Sequence, residues 1–109
     1  MKIAIPIEGD LVSAHFGHCE NFVIYEIENK TILNKEIVKN PEHQPGFLPG
    51  FLKENGADVI IAGGMRQRAK DLFAEKNIEV MVGVTGKIDF VINSYIQGEL
   101  KSTESFCTH

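Results

Sequence analysis

Apolar positions fall into short clusters along this chain, and their spacing alternates between strand and helix periods. Lys2 to Ile7 is a short apolar run of the kind found in a central strand, closed by the turn residues Glu8-Gly9-Asp10. Phe22-Val23-Ile24-Tyr25-Glu26-Ile27, rich in β-branched and aromatic residues, predicts a second strand. Glu28-Asn29-Lys30 then turns the chain into Thr31 to Lys39, where Ile32, Leu33, Ile37 and Val38 are the apolar members, so the pair reads as a hairpin. Asn40 to Gly50 carries three prolines and two glycines and predicts an irregular loop. A short helix from about Phe47 to Asn55 follows, with Gly56 just past its end.

The second half changes period. Asp58-Val59-Ile60-Ile61-Ala62 is nearly continuous in apolar residues, which predicts a strand buried on both faces in a parallel arrangement, closed by Gly63-Gly64. Met65, Ala69, Leu72 and Phe73 share one face of a helix over Met65 to Lys76, and Ile78 to Val82 is another strand. Ile88, Val91, Ile92, Tyr95 and Ile96 share a face of a last helix that Thr85 can cap and Gly98 ends. The order β-β-β-α-β-α-β-α implies an α/β fold with a mixed sheet: an antiparallel meander, then βαβ units with right-handed crossovers. No repeat or long linker interrupts it. Residues 1–98 read as one domain, and Glu99 to His109 as a polar, flexible tail without an element of its own.

Composition narrows the functional classes. A chain of 109 residues suits one domain, and 43% hydrophobic with 24% charged residues is ordinary for a globular protein. No apolar run reaches the roughly 20 residues of a membrane span, and the N-terminus lacks a secretory h-region, so the expected location is the cytoplasm. A formal net charge of −4 weighs against nucleic-acid and membrane partners, which usually need a basic face. Cys19 and Cys107 form no C-x-x-C and read as separate thiols.

The candidate chemistry concentrates in Ser13-Ala14-His15-Phe16-Gly17-His18-Cys19, where two histidines and a cysteine share one turn-prone stretch after the first strand. Imidazole and thiolate suit iron, copper and zinc, which makes His15, His18 and Cys19 candidate metal ligands. Each also has a plainer reading: His15 as a loop residue bonded to a carbonyl, Cys19 as a small hydrophobe at the start of a strand. Gly63 and Gly64 either aim backbone N–H groups and a helix end at an anion or simply permit a tight turn. Arg66 and Arg68, near that helix start, either face solvent, the commoner case, or supplement an anion site, a role favoured for Arg66 only. Met65 could offer a thioether to a ligand, but at the head of an amphipathic helix it is more often core. Cys107 and His109 read as chance neighbours in the tail or as a flexible ligand arm.

Four ordered motifs add a resemblance. They are Ile3-Ala4-Ile5-Pro6; Ser13-x-His15-Phe16-Gly17 with Phe22; Gly56-Ala57-Asp58-Val59-Ile60 with Gly63-Gly64-Met65; and Val82-Gly83-Val84-Thr85-Gly86. Over about residues 1–98 the chain resembles the dinitrogenase iron–molybdenum cofactor biosynthesis family, the domain shared by NifX, NafY and the C-terminal part of NifB. The resemblance implies a ribonuclease-H-like α/β fold with a mixed five-stranded sheet in the order 3-2-1-4-5, flanked by helices. It also implies non-catalytic binding, carriage or assembly of an iron–sulfur or molybdenum-containing cluster. The partners would be that cluster or its precursor and cluster-assembly or acceptor proteins, with the chain a monomer or weak dimer.

Carried over residue by residue, the family's S-x-H-F-G loop falls on Ser13, His15, Phe16 and Gly17, and its Gly-Gly-Met turn on Gly63, Gly64 and Met65. Two positions depart from the pattern. Arg66 stands where a third glycine is frequent, and a guanidinium there can pair with an anion in place of bare backbone. His18 stands where basic residues are frequent, which makes cationic anchoring pH-dependent.

Other classes stay open. A small hydrolase or redox enzyme would use Cys19 or His15, with Asp10 or Glu20 as orienting acid, and a ligand-free interaction module needs neither. A nuclease of the ribonuclease-H type needs carboxylates converging from the first strand, and Lys2 to Ile7 contains none: Glu8 and Asp10 lie past its end, and Asp58 begins the fourth strand. Fold alone is therefore no argument for that activity.

Overall fold

In the computed structural model, which describes residues 1–14, 16–41 and 47–100, β1 (Lys2–Glu8) runs through the middle of the sheet. Ile3 to Ile7 are all buried, because helices cover both faces of this strand. Successive side chains alternate between faces. Ile3, Ile5 and Ile7 join Val23, Tyr25 and Ile27 beneath the buried face of α3 (Ile88–Ile96). Ala4 joins Phe22, Ile24, Ile60 and Phe73 on the opposite side, beneath α1 (Phe47–Glu54) and α2 (Gln67–Glu75). The same alternation puts Pro6 and Glu8 on the Ala4 side.

The remaining strands are β2 (Leu11–Val12), β3 (Asn21–Glu28), β4 (Thr31–Lys39), β5 (Val59–Ile61) and β6 (Glu79–Met81). They form one mixed sheet in the order β4-β3-β1-β5-β6, with β2 pairing β1 as a sixth member. The β1–β3 and β3–β4 pairs are antiparallel, and the β1–β5 and β5–β6 pairs are parallel. The hairpin between β3 and β4 turns on Asn29 and Lys30, at φ of 52° and 62°. Two successive left-handed residues make the tight turn whose twist matches the strands it joins. Pro49 sits in the first turn of α1, where its missing N–H leaves no helical bond unmade.

Three details differ from the sequence expectation. The sheet has six strands instead of five, because the chain after the Glu8-Gly9-Asp10 turn folds straight back: Val12 pairs with Ile7 and Leu11 with Glu8. The helix expected from Met65 begins at Gln67, since Arg66 is still extended at φ −75° and ψ 154°. Thr85 is not the cap of α3. Leu11 bridges to Lys87 and keeps the chain extended as far as that residue, which becomes the N-cap.

Candidate functional site

Three loops meet where β1, β5 and β6 end, the end of an open α/β sheet where ligands tend to bind. Ser13 is the hub. Its N–H donates to the Pro6 carbonyl at 2.8 Å, its own carbonyl accepts from the Gly63 N–H at 3.2 Å, and its hydroxyl donates to Glu8 Oε1 at 3.2 Å. The third loop closes the arrangement: the Gly83 N–H donates to the Gly63 carbonyl at 3.0 Å, and the Val12 N–H to the Gly86 carbonyl at 2.9 Å.

The glycine pair is explained by this crowding. A Cβ on Gly63 would lie 2.7 Å from the Ser13 carbonyl oxygen and 2.9 Å from Ala14 Cα, and one on Gly64 would lie 3.0 Å from the Ala14 oxygen. Close approach of two backbones, more than turn geometry alone, demands glycine here. The consequence for function is that the Ser13 loop and the Gly63-Gly64 turn form one rigid unit.

The side chains expected at the site divide in two. Ser13 is fully buried and Phe16 is only 8% exposed. Phe16 packs edge-on against Phe73 at 5.4 Å between centroids and lies 5.9 Å from Phe22. Both side chains are engaged within the protein, where they hold the loop. Met65 is half-buried against the same cluster and is core, as its helical spacing suggested. Gly17 and His18, in the single 3-10 turn Phe16–His18, are exposed. His15 lies outside the described residues, as do Cys107 and His109.

Among the metal-ligand candidates, Cys19 lies in the core. It is 1% exposed, lies in the Phe16–Phe22–Phe73 cluster, and its thiol points at the Phe16 carbonyl, 3.5 Å away. Asn40, itself buried, donates to the Cys19 carbonyl at 2.8 Å and approaches Sγ at 3.7 Å. Burial pushes the thiol up to about 11, so the protonated form is favoured at neutral pH in the metal-free chain. Among the described residues no three His, Cys, Asp or Glu side chains converge on a metal-sized site.

This protonation has a measurable consequence. A thiol held at about 11 when folded and near 9.0 when unfolded binds its proton more tightly in the native state. Its contribution is complete below pH 9 and is lost as pH rises towards 11. The urea midpoint of the wild type should fall between pH 9 and 11 more steeply than that of Cys19→Ala, and an alkylating reagent at pH 8 should modify Cys19 only in denaturant.

A basic residue follows the Gly63-Gly64 turn. Arg66, exposed, is the N-cap of α2 yet makes no side-chain cap bond, and the first turn of that helix holds no acid. A Ser or Asp at that position would stabilise the helix by about 1 kcal/mol relative to a non-capping residue. Lys87 stands in the same way at the start of α3, also without a side-chain cap bond. Basic residues at helix N-termini oppose the macrodipole, so these are positions where local helix stability is not optimised.

Two residues at the site were not singled out by sequence reasoning. Asn40 carried only a loop signal through its neighbour Pro41, and nothing local connects it to Cys19, which precedes it by 21 residues. Glu8 read as part of a turn. Its strand parity was the usable clue, because it puts the carboxylate on the Ala4 face, under the loop.

A mixed α/β sheet with a loop cluster of this kind at its C-terminal end defines the class of protein. Within it, the chain belongs to the dinitrogenase iron–molybdenum cofactor family, whose family model matches residues 1–98. It is 38% identical over 109 residues to the uncharacterized protein MJ0580 of Methanocaldococcus jannaschii, covering 95% of this chain and 92% of that one. The crystal structure of PH0822 superposes with a TM-score of 0.88 at 40% identity, covering 94% of this chain and 96% of the other. The apo form of the orange protein from Desulfovibrio gigas shares the fold, with a TM-score of 0.79 at 22% identity and 94% and 92% coverage. Among the described residues no helix is long and apolar enough to cross a membrane.

Proposed function

We propose that this chain binds an anionic metal–sulfur cluster, of the iron–sulfur or molybdenum-containing kind, and carries it without catalysing a reaction on it. The observation that carries the reading is the locked pair of walls. The Ser13–His18 loop is bonded to Gly63, and the turn it holds runs directly into Arg66 and the uncapped start of α2. Backbone N–H groups at a helix start, a guanidinium and the exposed His18 are donors suited to sulfide and oxide ligands of an anion. Family membership supports the class of cargo.

The residues fit some modes of binding better than others. Cys19 is buried among Phe16, Phe22 and Phe73, which does not suit a ligand displayed at the loop surface. The described residues suit a cluster that already carries its own sulfide ligands and is held from outside by hydrogen bonds and charge. His15, at the family's motif position, remains our candidate for direct contact. The strand order β4-β3-β1-β5-β6, with its antiparallel first half, supports placing the fold in the ribonuclease-H-like group. The absence of acids within Lys2 to Ile7 supports binding over nuclease chemistry. We place the protein in the cytoplasm, as a monomer or weak dimer that exchanges cargo with cluster-assembly or acceptor proteins.

Anaerobic titration with tetrathiomolybdate, or reconstitution with iron, sulfide and molybdate, tests the reading by visible absorption. The wild type should acquire a stoichiometric chromophore. Arg66→Glu should weaken binding by about 10- to 100-fold, the effect expected when one charge-assisted contact worth roughly 1.5–3 kcal/mol is removed. Cys19→Ala should bind like the wild type. A wild type that gains no colour, or a loss confined to Cys19→Ala, would sink the proposal.

A further inference from the structure

We propose that Glu8 limits how tightly the site holds its anionic cargo and so permits release, an inference that rests on the binding role proposed above. Glu8 ends β1 on the face that carries the loop, Phe16 and α2. Its exposed carboxylate accepts the Ser13 hydroxyl at 3.2 Å, and the Ser13 carbonyl is in turn bonded to Gly63. A negative charge is thereby held against the Ser13 loop, where Asp10 and Glu20 are further exposed acids, while Arg66 and Arg68 stand exposed after the Gly63-Gly64 turn. The neighbouring acid of the same turn, Asp10, is also exposed, and its main-chain carbonyl accepts the Ile88 N–H at 2.9 Å.

Burial is the main reason the Cys19 thiol is pushed up, and the Glu8 carboxylate makes a smaller contribution in the same direction. A neutral acceptor would serve the Ser13 hydroxyl as well as a carboxylate does. What the carboxylate adds is repulsion of an anion, felt at a partly solvated distance and reduced by salt. For a carrier, that repulsion sets the balance between capture and transfer.

Glu8→Gln separates the two roles, because its amide oxygen can still accept from Ser13 while the charge is gone. Titrated with tetrathiomolybdate at low ionic strength, this variant should bind about three- to tenfold more tightly than the wild type, with slower dissociation, and the gap should narrow at high salt. Glu28→Gln makes the same change of net charge at the opposite end of the sheet and should leave affinity unchanged. Ser13→Ala keeps the carboxylate and loses the tie, so it should not tighten binding. Equal or weaker binding by Glu8→Gln overturns the assignment, as does an equal gain in Glu28→Gln or Ser13→Ala. If the wild type itself binds no thiomolybdate, the binding role falls first and the assignment of Glu8 falls with it.

Discussion

Phe16→Ala should destabilise the protein by about 3–5 kcal/mol, the range for emptying a buried aromatic site. That is a large part of the stability of a domain of this size, typically about 5–15 kcal/mol. Phe16 belongs by sequence to a loop, where truncation is ordinarily tolerated. Here the ring is enclosed by Phe22 on β3 and Phe73 on α2, so its loss opens a cavity between sheet and helix. Urea denaturation gives the stability loss directly. The same variant should expose Cys19 to alkylation, because that thiol bonds to the Phe16 carbonyl and lies under the same cluster. A loss below 1 kcal/mol, with Cys19 still protected, would show that Phe16 is not the anchor of the loop.

Gly63→Ala should have the next largest effect. The added methyl meets backbone atoms of Ser13 and Ala14 at 2.7 and 2.9 Å, and neither can swing aside as a side-chain end could. Overpacking of this kind costs about 1–3 kcal/mol. The Gly63–Ser13 hydrogen bond would have to break or the loop shift, so cargo binding should fall along with stability. Gly86→Ala is the informative contrast. Its Cβ would meet nothing within 4 Å, but φ is +109°, so the cost there is backbone strain without collision. Equal stability losses at the two positions, with no change in binding at Gly63, would count against a rigid two-wall site.

Much of the fold could be read from periodicity. The long runs of β1 and β3, the apolar β5 and the one-sided pattern of α3 each carry a signal strong enough to survive tertiary context. Boundaries were harder. Arg66 and Lys87 look helical by composition, yet both remain extended because their neighbours are committed elsewhere: Leu11 bridges to Lys87, and Gly63-Gly64 is held against Ser13. The two-residue β2 left no periodic trace, since a pair of residues cannot display a period.

The motifs marked the stretches of the candidate site but did not assign roles to their residues. His18 and Arg66 stand exposed where a ligand could meet them. Ser13, Phe16 and Cys19 sit in the same stretch and are buried. Sequence spacing places a residue along the chain, and which side of the backbone faces the core depends on partners far away. Phe73 and Asn40 decide the surroundings of Phe16 and Cys19, and neither is a neighbour in sequence.

The sequence by itself determined the class of fold, the approximate order of strands and helices, and the two stretches that meet at one end of the sheet. It did so because hydrophobic period and turn chemistry are local properties, written within a few residues. Only the tertiary structure decided that the glycine pair is needed for backbone contact, that the cysteine is a buried core residue, and that a glutamate at the end of the first strand bonds to Ser13. Those outcomes depend on burial and on distances between segments remote in sequence, and no local pattern encodes either.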